Sequence, residues 1–188
     1  MNSLDPVKPG QLLSVIALCG ATMVSLIAAP GLDGLLGALL AGTMIAIAVV
    51  DATSYRIPNE LTLAVLALAL LRASLLPSDA ALHPVADALL RAAVTSVLFY
   101  ILAISYRHFR GRDGFGFGDV KLLGAAAAWL DWSALLIAIE GATLAALATY
   151  LVRQWFYRRP IKTMAILPFG SFLAPFIWIG WLIEPFLN

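Results

Sequence analysis

Long apolar runs recur along this sequence, and their length constrains the fold more than any other feature. The stretch LLGALLAGTMIAIAVV, residues 35–50, carries no charge and is followed at once by Asp51. Runs like it return at close to the roughly 20 residues a helix needs to cross a bilayer core. Composition agrees: 62% of the 188 residues are hydrophobic and 12% are charged, against roughly 25% charged in an ordinary soluble domain. Mean hydropathy is +0.93. The chain reads as an all-α, polytopic transmembrane helical bundle.

Seven candidate spans fall at about 11–29, 33–51, 60–76, 86–106, 119–131, 134–152 and 164–186. Pro30-Gly31, Pro58-Asn59, Pro77 with Pro84, the glycine-rich 111–118 stretch and Arg158-Arg159-Pro160 punctuate them. The fifth run is short, so it starts inside the membrane or dips beneath its surface. No soluble domain, linker or repeat is left over, and residues 1–188 read as one domain. Near the N-terminus, Lys8 precedes an apolar run over 12–29. A secretory signal has a shorter core, roughly 7–15 residues, so a retained first span is expected rather than a cleaved signal.

A net charge of +1 and the lack of a basic stripe with interleaved aromatics leave no footprint for nucleic acid. Cys19 is the one cysteine, which excludes an internal disulfide and a cysteine-rich zinc site. Ten of the twelve basic residues lie in one set of alternate loops: Lys8, Arg56, Arg107, Arg110, Arg112, Lys121, Arg153, Arg158, Arg159 and Lys162. The other set has Asp33, Asp79, Asp87, Asp131 and Glu184, with only Arg72 and Arg91 close by. Basic residues concentrate on the cytoplasmic side, so the N-terminus is expected in the cytoplasm and the C-terminus outside.

Asp51 closes the second span and Asp119 opens the fifth. Two spans separate them, and an even number returns the chain to the side it left. Both carboxylates therefore belong at the cytoplasmic edge. Acids within membrane segments are rare and mark functional sites. Two held close together share a proton and titrate as a coupled pair. One member can then deprotonate a water while the other polarises a carbonyl, the logic of aspartic proteases. No metal, cofactor or covalent nucleophile is needed. Gly114, Gly116 and Gly118 lack the restriction a Cβ imposes, so Asp119 could swing toward Asp51. After Gly124, the run Ala125, Ala126, Ala127 and Ala128 allows close helix packing. Arg56 and Lys121 are near enough in sequence to tune or screen the acids. Each aspartate taken alone also fits a simple cap at the interface.

At these positions the sequence resembles the bacterial type IV prepilin peptidases, GxGD-type aspartic proteases of the inner membrane. The likeness rests on Asp51 with Ile57-Pro58-Asn59, on GFGDVKLL over 116–123, and on PFGSFLAP over 168–175. It implies cleavage of the short basic leaders of type IV prepilins or pseudopilins on the cytoplasmic face, with Asp51 and Asp119 as the catalytic pair. Many members of that family also carry an N-terminal cysteine-containing, zinc-binding domain and methylate the new N-terminus. Cys19 cannot replace that region, so the chain resembles the short, peptidase-only form. Proteolysis is expected, and methylation is left open. Two other readings remain: a proton-coupled transporter in which the acids and Glu140 form a relay, and a presenilin-like GxGD protease with another substrate. The oligomeric state is not fixed by sequence.

Other residues carry smaller expectations. Glu140, mid-span, is expected to bond to a neighbouring helix, and Asp113 to form a solvated ion pair with Arg110 or Arg112. His83 and His108 lack metal-ligand spacing. Tyr55, Tyr106, Trp129, Trp132, Trp155, Tyr157 and Trp181 read as interfacial anchors. Asn59 reads as the cap of the third span. Pro168 and Gly170 read as a kink in the last span, either for packing or lining the site.

Overall fold

The computed structural model describes residues 9–76, 83–111, 116–157 and 168–187. Lys8, Pro77, Asp79, Arg112, Asp113, Gly114, Arg158, Arg159, Pro160 and Lys162 lie outside the described residues, as does the side chain of Tyr157. Among the described residues, seven helices form the bundle: α1 (Pro9–Ala28), α2 (Leu32–Ser54), α3 (Asn59–Leu75), α4 (Pro84–Arg110), α5 (Phe117–Trp129), α6 (Trp132–Tyr157) and α7 (Phe169–Ile183). One 3-10 turn, Glu184–Phe186, follows α7. Each expected span contains a helix among the described residues, as hydrocarbon demands of a backbone that must satisfy its own polar groups.

By length and composition, α2, α4, α6 and the segment Phe169–Phe186 can each cross a membrane, and α1 adds the shorter apolar stretch Leu12–Ala28. The protein is therefore an all-α, multi-pass membrane bundle. Helix ends differ from the expected spans where hydropathy and helicity part company. Hydropathy marks where lipid stops, whereas α4 runs on through Arg107, His108 and Arg110, cations that suit a helix C-terminus. α2 likewise continues to Ser54, so Asp51 sits in its last turn rather than at its end. α7 starts at Phe169 with Pro168 as its N-cap. Pro168 and Gly170 therefore form no kink; the proline inside that helix is Pro175.

The helices pack as two groups. α2 lies against α1 and α7, with α6 on the far side of α7; α5 is flanked by α3 and α4. Contacts of α2 with α3 and of α5 with α7 join the groups. Inside a bilayer close van der Waals packing replaces hydrophobic drive, so small residues belong at such seams. α5 shows this: Val120 and every residue from Leu122 to Trp129 are buried, and a Cβ on Gly124 would collide with Ser96 of α4. The alanine run is the packing surface expected of it. Trp129 and Trp181 are 1% and 3% exposed, hence core residues rather than interfacial anchors. Trp129 ends a helix that stops inside the bundle, and Trp181 lies against Gly37. Tyr55, Tyr106, Trp132 and Trp155 are exposed, as anchors should be.

Thirteen residues rise about 20 Å, short of the roughly 30 Å hydrocarbon core. The C-terminal carbonyls of α5 therefore need donors from elsewhere. Arg72 of α3 supplies Nη1 to Trp129 O at 3.2 Å, and Arg91 of α4 supplies Nε to Ala127 O at 3.1 Å. Both arginines are themselves paired. Arg72 meets Asp33 at 2.7 Å and Glu184 at 3.5 Å, and Arg91 meets Asp87. Glu184 also accepts the Asp131 N–H at 2.8 Å. The two cations that break the charge asymmetry of the sequence are thus consumed by the acids of the same loops.

Candidate active site

At the other end of α5 the chain gathers Asp51 and Asp119. Asp51 is 5% exposed, and both its polar ends are engaged. Its carbonyl accepts the Tyr55 N–H at 2.9 Å, and its Oδ2 accepts the Ser171 N–H at 2.8 Å. The Gly170 N–H is also directed at this carboxylate. Tyr55 ends α2 in the left-handed region (φ 55°), a conformation that bends the chain back after a helix. The next residues, Arg56 and Ile57, consequently return over the end of the bundle.

Asp119 occupies the third position of α5, where a carboxylate meets the positive end of the helix dipole. Gly116 is the N-cap, and the Asp119 N–H bonds back to Gly116 O at 3.0 Å. The side chain turns the same way: Oδ2 lies against Gly116, while Oδ1 is buried without a hydrogen-bond partner among the described residues. Buried acceptors are rarely left unused. Gly118, beside Asp119, and Gly170, against the Asp51 carboxylate, both face Ile57, which puts the two acids at the same end of the bundle. Counting spans had put the two acids at one edge, and the structure brings them together.

The turns GFGD (116–119) and PFGS (168–171) are built alike. In each, a non-helical N-cap, extended at Gly116, precedes a phenylalanine, a glycine and a third residue whose N–H returns to the cap carbonyl, at 3.0 and 3.2 Å. The two glycines face one side chain, Ile57. A Cβ on Gly118 would lie 3.2 Å from Ile57 Cβ, and one on Gly170 would lie 2.7 Å from Ile57 Cδ1 and 3.0 Å from Asp51 Oδ2. The missing side chains allow this close approach. Gly116 has φ −67°, a value open to any residue, so no left-handed conformation calls for glycine there. Gly170 touches the acid through its lack of a side chain, and Pro168 starts the helix whose N–H groups hold Asp51.

The remaining expectations divide. Lys121 is engaged with other partners, its Nζ 3.0 Å from Asn59 Oδ1 and 4.8 Å from the Phe117 ring centroid. Asn59 is consequently a partner of Lys121, and Pro58 is the N-cap of α3. Arg56 is exposed and makes no ion pair among the described residues. Glu140 is exposed on α6 and bonds to no described neighbour, against the expected contact with another helix. His83 and His108 stand at opposite ends of α4. A cleft of about 560 Å³ opens between α3, α4 and α5, with Asn59 and Lys121 among its lining residues and neither acid in its wall. Sequence reasoning missed Ile57 and the Ser171 backbone as site residues. A signal for both lay in the two phenylalanine-glycine turns, whose equivalence shows only in three dimensions.

The sequence model of the type IV leader peptidase family matches residues 38–151, more than half of the chain, and the match takes in both Asp51 and Asp119. The chain belongs to that family. It is 29% identical over 175 residues to a prepilin leader peptidase/N-methyltransferase of Aeromonas salmonicida, covering 91% of this chain and 57% of that protein. A protein of the same name from Pectobacterium carotovorum is 32% identical over 87% of this chain and 56% of its own length. Another, from Burkholderia pseudomallei, is 35% identical over 72% of this chain and 42% of its own. The chain spans about half the length of the curated relatives it matches. No solved structure matches it.

Proposed function

We propose that this protein is a membrane-embedded aspartic endopeptidase that removes the short leader of type IV prepilins or pseudopilins, with Asp51 and Asp119 as its catalytic pair. One observation carries the reading: two carboxylates from separate helices converge at one end of the bundle, and the two glycine turns flanking Ile57 hold them there. Family membership and the names of the relatives support a peptidase acting on prepilin leaders. The ionised carboxylate takes a proton from the water that adds to the scissile carbonyl, and the protonated carboxyl group donates its proton to the carbonyl oxygen. Collapse of the tetrahedral intermediate then passes a proton to the leaving amine and restores the pair. Only side chains of this protein act in these steps.

The residues 1–188 are read as one transmembrane peptidase domain of about seven spans in the bacterial inner membrane. The asymmetry of Lys and Arg favours a cytoplasmic N-terminus and puts the acid pair on the cytoplasmic face. The transporter reading loses support, because Glu140 is exposed on α6 and, among the described residues, makes no bond that could join it to the acids.

The test is cleavage of a prepilin by the purified protein in vesicles. Asp51→Asn and Asp119→Asn, each confirmed as inserted and folded, should lose at least about a hundredfold in rate, the lower range for acid–base catalysis. A folded variant of either kind that processes the prepilin normally would sink the proposal.

A further inference from the structure

Cleavage needs a peptide carbonyl and a water within hydrogen-bond reach of both carboxyl groups, about 2.6–3.2 Å. Little of Asp51 is open to them: it is 5% exposed, and its Oδ2 accepts the Ser171 N–H. Between the turn that carries Asp119 and the turn that holds Asp51 lies the side chain of Ile57.

Its surroundings define a slot. A Cβ on Gly118 would meet Ile57 Cβ at 3.2 Å, and one on Gly170 would meet Ile57 Cδ1 at 2.7 Å and Asp51 Oδ2 at 3.0 Å. At both glycines the wall is bare backbone, a surface that another chain can approach closely. What fills the slot is held by packing alone. Arg56 and Ile57 make no hydrogen bond among the described residues, so withdrawing Ile57 breaks none of those. Their loop runs from Tyr55, which has φ 55°, to Pro58, the N-cap of α3. A non-glycine residue in the left-handed region is uncommon, and hinges are a few loop or helix-end positions that absorb backbone change. Tyr55 and Arg56 are exposed, so neither ties the loop to the core.

We propose that the slot between Gly118 and Gly170 is where the extended scissile segment of the substrate lies, and that Ile57 is a plug which this segment displaces. The loop swings out at Tyr55, and the peptide backbone takes the place of the Ile57 side chain beside both acids. A peptide carbonyl there would give Asp119 Oδ1 the partner it lacks among the described residues. Until substrate arrives, the plug shields the pair. The inference rests on the peptidase reading and adds a residue that must move before the acids can act.

The experiment uses the full chain in lipid vesicles with Cys19→Ser, first checked for prepilin cleavage. Asp119→Asn is then added to prevent cutting, with one cysteine at Ile57 or, as control, at Phe109 near the exposed end of α4. A water-soluble maleimide should label Ile57→Cys at least tenfold faster with excess prepilin than without, and Phe109→Cys equally in both. In the uncut series, Ile57→Ala should lower KM for the prepilin about threefold or more and leave kcat unchanged, because a binding-competent state that is already open carries no displacement cost. Labelling of Ile57→Cys that is unchanged or slowed by prepilin overturns the proposal, as does equal acceleration at Phe109→Cys. So does an Ile57→Ala variant with raised KM or reduced kcat, which would make Ile57 a structural part of the site. Absence of cleavage by the Cys19→Ser parent overturns the peptidase reading itself, and the plug with it.

Discussion

The two ends of α5 handle charge in opposite ways. At its C-terminus Arg72 and Arg91 each bond a terminal carbonyl, and the acids Asp33, Asp87 and Glu184 pair with those arginines. At its N-terminus two acids converge, Lys121 turns to Asn59, and Arg56 is exposed without an ion pair among the described residues. Where the bundle needs a fixed helix end, charges cancel and backbone carbonyls are capped. Where it holds the acid pair, like charges meet and Asp119 Oδ1 has no partner among the described residues. The paired end anchors a short, fully packed helix, and that helix carries Asp119 toward Asp51.

This contrast can be broken at either end. The largest expected effect comes from Arg72→Ala, which strands the Trp129 carbonyl, Asp33 and Glu184 together. Losing hydrogen bonds to a charged group costs about 1.5–3 kcal/mol, read as reduced resistance to unfolding in mixed micelles. Unchanged stability would mean that the network is ornamental.

Gly170→Ala comes next. Its new methyl group would press on Ile57 and Asp51, and cleavage should fall about tenfold, or about 1.4 kcal/mol. Ile57→Ala in the same chain should restore part of that loss, because residues in contact couple. A double variant no better than the single would remove Ile57 from the account. Arg56→Ala should do least, within about 0.5 kcal/mol in stability, as exposed positions usually do. A large loss of cleavage there would give the exposed cation a role that the contrast denies it.

Much of the acid end was legible in sequence because it depends on counting. An even number of apolar runs between Asp51 and Asp119 fixes the edge they share, whatever the exact helix ends. Ile57 was legible as part of the Ile57-Pro58-Asn59 motif, but its place between the two glycine turns was not, since an apolar side chain carries no chemical signature. Ser171 contributes its backbone, which has no letter of its own. The paired end was half legible. Arg72 and Arg91 stood out as basic residues among acids, but their bonds to α5 carbonyls follow from a helix that stops short inside the bundle. The same cause turned Trp129 from an expected surface anchor into core. Glu140 was recognised as costly in the bilayer, yet which way α6 turns it depends on the packing of Gly141 against Phe176.

The central claim is that Asp51 and Asp119 act as one unit. Its most direct test is prepilin cleavage by Asp51→Asn, Asp119→Asn and the double variant in identical vesicles. Groups that act together are strongly non-additive, so the double variant should be no slower than the slower single one. Losses that multiply, with each single variant keeping a partial rate, would show two independent carboxylates and contradict the account.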